Sequence, residues 1–234
     1  MQNLYLCNGF IRSYNKAVYF MKIVFATGNG GKLREAREIL GRGFELVTPA
    51  DMGITEEIPE TGNSLTANSR QKAEYIWNKC GCNCFSDDSG LEVDILGGAP
   101  GVHTARYAGD DKDFNKNIDL LLQNIAIREM EASMAASYGI SLKKLGRRAR
   151  FRCVVTLILD GEKHYFEGTL EGKIAHTRSG NGGFGYDPVF IPDEYPDKTL
   201  SEISEEEKNA ISHRGKALRA MAEWLAASLE ASQA

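Results

Sequence analysis

The chain has 234 residues, 42% of them hydrophobic and 26% charged, with a formal net charge of −4. Such values describe a globular protein of one domain or two intimate lobes, and the acidic balance argues against a surface built chiefly to hold nucleic acid. No apolar run approaches the roughly 18 residues of a membrane span, so neither nucleic acid nor membrane is expected as a partner.

Residues 1–20 carry scattered apolar side chains, Leu4, Tyr5, Leu6, Phe10, Ile11, Tyr14 and Val18, interrupted by Arg12 and Lys16. They lack the sustained apolar core of a secretory signal. The expectation is an extension outside the fold, or a natural start at Met21. Ile23-Val24-Phe25-Ala26 predicts a buried strand. Thr27-Gly28-Asn29-Gly30-Gly31-Lys32 then leads into a helix with Leu33, Ala36 and Leu40 on one face. Strand, Gly-rich turn and helix place free N–H groups where phosphate binds, and Lys32 adds a point charge. The pattern is not a Walker loop, because Ala26 and Leu33 stand where Gly and Ser or Thr would be needed.

Phe44-Glu45-Leu46-Val47 reads as a second strand, and residues 51–61 as an acidic loop with Glu56, Glu57 and Glu60. Residues 65–80 predict a helix from which Asn68, Arg70 and Lys72 reach out. Cys80, Cys82 and Cys84 are one residue apart, too close for zinc pairs and without a second pair. All five Cys are therefore read as thiols, with Cys84 and Cys153 packing as small apolar groups.

Asp87-Asp88-Ser89-Gly90 is the densest chemical stretch. Adjacent extended side chains point to opposite faces, so the two carboxylates cannot both enter the core. One can serve as a metal ligand or a general base, with Gly90 allowing a tight turn. The alternative is a turn with two solvated Asp residues. Helical patterns follow at 113–122 and 124–146. Arg147, Arg148, Arg150 and Arg152 precede the strand 151–159, as a phosphate clamp or, with more in its favour, a solvated strand start. Asp160-Gly161 marks a hairpin. Ser179 to Pro188 holds four glycines beside Phe184 and Tyr186, a composition that suits close approach to a planar ring. Ser204 and Glu207 form a capping box for a final helix with Lys208, His213 and Arg214 in its first half. Cations near the positive end of a helix dipole point to an anionic partner.

An anion turn, an acidic pair, an aromatic-Gly loop and a cationic helix together describe a nucleotide polyphosphate, a divalent metal and a general base. The chain resembles the inosine triphosphate pyrophosphatase family, whose members act on non-canonical purine nucleoside triphosphates. The motifs are Thr27-Gly28-Asn29 with Lys32 and Glu35; Asp87 to Leu91; Gly97 to Gly101 with Ala105-Arg106-Tyr107; Gly182 to Pro188; and Glu207-Lys208-Asn209 with Ser212 to Gly215. They stand in family order over about residues 21–226.

The resemblance implies an α/β fold: a long curved mixed sheet flanked by helices, with two lobes and a substrate cleft between them. It implies one pyrophosphatase domain over 21–226 with an insertion at about 126–146 and a tail at 227–234. It also implies a homodimer, Mg²⁺ as cofactor and a cytoplasmic setting. Carried over, Thr27, Gly28, Asn29, Gly30, Gly31 and Lys32 bind the triphosphate. Asp88 is general base and metal ligand, Glu60 is the candidate second metal carboxylate, and Ser89 touches substrate. Phe184, Gly185, Tyr186 and Asp187 hold the base, while Lys208, His213 and Arg214 complete the nucleotide contacts. The family's Glu pair reads Pro59-Glu60 here, which leaves the alignment of Glu60 shifted. The implied reaction converts ITP, dITP or XTP to monophosphate and pyrophosphate. The rivals are a nucleotide sensor without turnover, a pyrophosphatase of other base choice, and a purely structural protein.

Overall fold

A computed structural model describes residues 21–140 and 146–231. The expected extension at 1–20 and residues 141–145 of the expected insertion lie outside the described residues. In chain order the elements are β1 (Met21–Phe25), α1 (Gly30–Leu40), β2 (Phe44–Val47), α2 (Leu65–Cys80), β3 (Cys84–Val93), α3 (Phe114–Ser137), β4 (Arg148–Leu159), β5 (Glu162–Ile174), β6 (Phe190–Pro192), α4 (Glu205–Ile211) and α5 (His213–Ala231). Among the described residues the strands form one sheet in the order β2-β1-β3-β4-β5-β6. β1 pairs in parallel with β2 and β3, and β5 pairs antiparallel with β6. This is the mixed, helix-flanked α/β sheet that was expected. The chain divides into two compact units, one of residues up to 88 with 153–168 and 214 onward, the other of 89–152 and 169–213.

In the first unit each strand alternates between two cores, as the period of two requires. Ile23, Phe25, Phe85, Cys153, Val155 and Leu157 pack with Ala36 and Leu40 of α1 and with Ala217, Leu218, Met221 and Leu225 of α5. Val24, Ala26, Cys84 and Ile158 pack with Ala73 and Ile76 of α2. Phe25 stacks on Phe85 with ring centroids 4.4 Å apart. On the α2 side a buried hydroxyl set ties helix to sheet: Ser69 Oγ donates to Thr156 Oγ1 at 2.8 Å, and Ser86 Oγ donates to the Ser69 carbonyl.

In the second unit, Leu91, Val93, Phe151, Leu170 and Ile174 pack with Ile118, Leu121 and Ile125 of α3. The other side of these strands is ionic. Arg150 pairs with Asp94 and Glu171, Arg152 with Glu92, and Arg148 with Asp193. Arg147 pairs with Glu129 of α3, and the Arg cluster is thus a set of ion pairs with neighbouring elements, the solvated alternative rather than a clamp.

Four expectations change. β3 runs unbroken through Asp87 to Gly90, so Gly90 makes no turn. Its missing side chain instead admits the Gly101 carbonyl, which a Cβ would meet at 2.4 Å. The two helical stretches after residue 113 are one helix, α3, because Ile118, Leu121 and Ile125 continue a single buried stripe with no Pro or Gly between them. The final helix is two: Ser212, with ψ 142°, interrupts it and takes the position before α5 where Ser is favoured. α5 then runs past residue 226 into the expected tail. The reading of the cysteines as thiols holds for Cys80, Cys84 and Cys153, and Cys7 lies outside the described residues. Burial pushes the Cys84 thiol up to about 12, in keeping with an inert packed group.

Phe85 sits two residues before Asp87 and is fully buried. Phe85→Ala is expected to cost about 3–5 kcal/mol, read as a lower midpoint in denaturant unfolding.

Candidate functional site

β3 presents Asp87 and Asp88 to opposite sides. Asp87 is 1% exposed and enclosed by cations. Lys32 Nζ lies 3.0 Å from its carboxylate and Arg214 Nε 2.9 Å from Oδ2. Arg214 also pairs with Glu35, and Cys153 Sγ lies 4.0 Å from Asp87 Oδ2. Burial disfavours the Asp87 charge, yet Lys32, Arg214 and Lys72 outweigh it and hold the carboxyl well below the usual range. Asp87 is thus an anchor held in its charged form by Lys32 and Arg214. It fixes α1 and α5 to the strand and is spent on structure.

Asp88 faces α2. Its neighbour is the Lys72 ammonium, 3.6 Å from Oδ1, and the Asn68 side chain hydrogen-bonds to it. Burial raises its carboxyl above the ordinary value, more than Lys72 and Lys32 lower it. Lys72 Nζ also lies 2.5 Å from Glu60 Oε1. Burial works against the Lys72 charge, but Asp87, Asp88 and Glu60 together hold it. Two carboxylates thus address one buried cationic point. Among the described residues no group of three His, Cys, Asp or Glu could hold a metal. Two carboxylates with phosphate and water making up the rest is the usual donor set for Mg²⁺, which seldom sits in an all-protein cage. The residues present fit that ion.

Glu60 belongs to a strap, residues 56–62, laid antiparallel along α2. Gly62 N donates to Asn68 Oδ1 at 2.7 Å and Thr61 N to Gln71 Oε1 at 2.9 Å. Further along, Tyr75 Oη donates to Glu56 at 2.9 Å, and Lys79 Nζ lies 2.7 Å from the same carboxylate. Ile58 packs against the core beneath. Helical spacing puts Asn68, Lys72, Tyr75 and Lys79 along one side of α2.

The turn after β1 is capped from within. Asn29 Oδ1 accepts from the amides of Gly31 and Lys32, at 2.9 and 3.2 Å, and Thr27 Oγ1 accepts from Asn29 N at 3.1 Å. The expectation of wholly free amides is therefore reduced to Gly28 and Gly30. A Cβ on either would meet nothing within 4 Å, and neither has a positive φ. The fold itself does not require glycine there.

The aromatic-Gly loop of the second unit is organised around Asp187. Its carboxylate accepts from Phe184 N at 2.7 Å and lies 2.6 Å from Lys208 Nζ. Burial raises its pKa despite Lys208. Lys208 also stands 4.4 Å over the Phe184 ring, which is 63% exposed. Tyr186 is buried, with Oη donating to the Thr104 carbonyl at 3.0 Å. Gly182 and Gly183 are explained by packing rather than by a ring. A Cβ would meet the Ser201 carbonyl at 3.0 Å and Asp187 Oδ2 at 2.2 Å respectively. His213 stacks on Phe151 at 5.0 Å between centroids.

The predicted residues thus fall into two sets. Thr27 to Lys32, Glu60, Asp88 and Arg214 belong to the first unit; Ser89, Phe184 to Asp187, Lys208 and His213 belong to the second. Sequence reasoning passed over the bridging part of Lys72 and Asn68, although their four-residue spacing after an acidic loop was a usable signal.

The model of the Ham1 family matches residues 23–224. A dITP/XTP pyrophosphatase of Porphyromonas gingivalis is 43% identical over 204 residues, covering 87% of this chain and 97% of that protein. One of Christiangramia forsetii is 41% identical over 205 residues, covering 88% and 99%. The solved Staphylococcus aureus Ham1 protein superposes with a TM-score of 0.75 at 33% identity, covering 88% of this chain and 99% of its own. Among the described residues no helix is long and apolar enough to cross a membrane. On the family match and these relatives, the chain belongs to the Ham1 family.

Proposed function

We propose that this chain hydrolyses ITP, dITP and XTP to the nucleoside monophosphate and pyrophosphate, removing deaminated purines from the nucleotide pool. The observation that carries the reading is Asp88, paired with Glu60 across Lys72 and standing beside an Asp87 already committed to structure. The relatives named dITP/XTP pyrophosphatase support the same choice. A homodimer, a cytoplasmic setting, and a body at 21–226 with an insertion at about 126–146 belong to this reading on the resemblance alone.

Asp88 and Glu60 would hold Mg²⁺, which when bound supplies charge neutralisation on the phosphate oxygens. Asp88 takes the proton from the water directed at the α-phosphorus, a role its raised pKa suits. Lys72 keeps both carboxylates aimed at one point. Lys32 and the Gly28 and Gly30 amides meet charge on the leaving pyrophosphate. Phe184 offers the base one face of an exposed ring, with Lys208 over the other face and Asp187 beside it, and Ser89, Gly185, Tyr186, His213 and Arg214 complete the set. Donors facing the 6-oxo acceptor of hypoxanthine or xanthine would be left unpaired by adenine, a mismatch worth on the order of 10⁴-fold.

Pyrophosphate release from ITP, dITP, XTP, ATP and GTP tests the reading. Metal-dependent release from the first three, abolished by EDTA, is expected. Equal release from all five would end the selectivity claim, and binding without release would make the chain a sensor. Asp88→Asn should lower kcat by about 10²–10⁴-fold with unchanged unfolding. In the metal-free protein burial should make the Asp88 carboxyl titrate above the ordinary Asp value of about 3.9, read by NMR titration of its side-chain carboxyl. Gly30→Ala should leave stability intact and lower kcat/KM about tenfold, because the added Cβ keeps phosphate from the amide at the cost of about one hydrogen bond to a charged group.

A further inference from the structure

We propose that Glu56, Tyr75 and Lys79 form a remote clasp that positions Glu60 for a divalent cation. The inference rests on Glu60 being a metal carboxylate and adds residues that touch neither metal nor substrate. The strap 56–62 has no helix or strand of its own, so its order depends on side-chain ties. At the Glu60 end those ties are Gln71, Asn68 and Lys72. At the far end Glu56 takes a hydrogen bond from Tyr75 and an ion pair from Lys79 on the same oxygen. Lys79 also stands 5.5 Å over the Tyr75 ring, so the three groups brace one another. Attraction holds the Glu56 carboxyl down at about 2, and the clasp stays charged throughout the neutral range.

Opening the clasp frees the strap to sample positions in which Glu60 is away from Asp88. The apparent affinity for a cation then falls by the fraction of time the pair is assembled. The groups are exposed, so the effect is modest: about two- to five-fold in affinity, the size expected for a solvent-facing pair with one added hydrogen bond. The ionic part is screened by salt.

The test is titration calorimetry with Mn²⁺ and no nucleotide, on wild type, Tyr75→Phe/Lys79→Gln, Lys79→Arg and Glu60→Gln. Hydrogen exchange of the 56–62 peptide and kcat at saturating Mg²⁺ are measured alongside. The double variant should bind Mn²⁺ two- to five-fold more weakly, exchange faster at Thr61 and Gly62, and keep kcat. Lys79→Arg should restore affinity, and the gap from wild type should narrow at 1 M salt. Faster exchange with unchanged affinity would overturn the proposal, as would unchanged exchange. If Glu60→Gln binds Mn²⁺ as wild type does, the metal reading itself fails and the clasp loses its purpose.

Discussion

The buried ion set around Asp87 is the interaction on which the first unit depends. A carboxylate with 1% exposure stays charged only because Lys32 and Arg214 sit against it, and Arg214 is itself balanced by Glu35. Removing one member of such a set leaves an uncompensated charge and typically costs about 3–5 kcal/mol. The set joins α1, β3 and α5 at one point. Since adjacent strand residues face opposite ways, holding Asp87 on that side forces Asp88 to the other. A structural ion set thereby aims the candidate catalytic group.

What Asp88 meets is decided by α2. Its apolar positions Ala73 and Ile76 enter the core, while Ser69 bonds into the strands. The helix therefore cannot rotate, and Asn68 and Lys72 must point at β3. The strap lies along the same helix and brings Glu60 to Lys72. Lys72 marks with its own ammonium the point at which the two carboxylates converge. Burying it between them keeps that point polar and charged within an otherwise apolar layer.

The second unit follows a different plan. Its loop at 179–187 is folded on itself, with Asp187 drawing in Phe184 N and Lys208 together. Gly182 and Gly183 serve that folding, leaving Phe184 as the exposed ring. The neighbouring strands keep one apolar side against α3 and one side of paired charges. A cluster of arginines that looks available in one dimension is already satisfied by carboxylates from α3 and from adjacent strands and the turns that follow them.

Periodicity, capping residues and turn dipeptides determined much of the local structure, because those signals act within a few residues. β2, α2, the Asp160-Gly161 hairpin and the Ser204 capping box are where the pattern put them. The order of five motifs was enough to point to the family. The tertiary structure alone decided which of two adjacent aspartates is spent on structure, since that depends on cations from α1 and α5 that are remote in sequence. It alone decided that Gly90 is a point of close packing rather than a turn, since the group it admits is the Gly101 carbonyl. It also decided that Lys72 joins Glu60 to Asp88. Each of these depends on distance in space between groups that chain spacing does not encode.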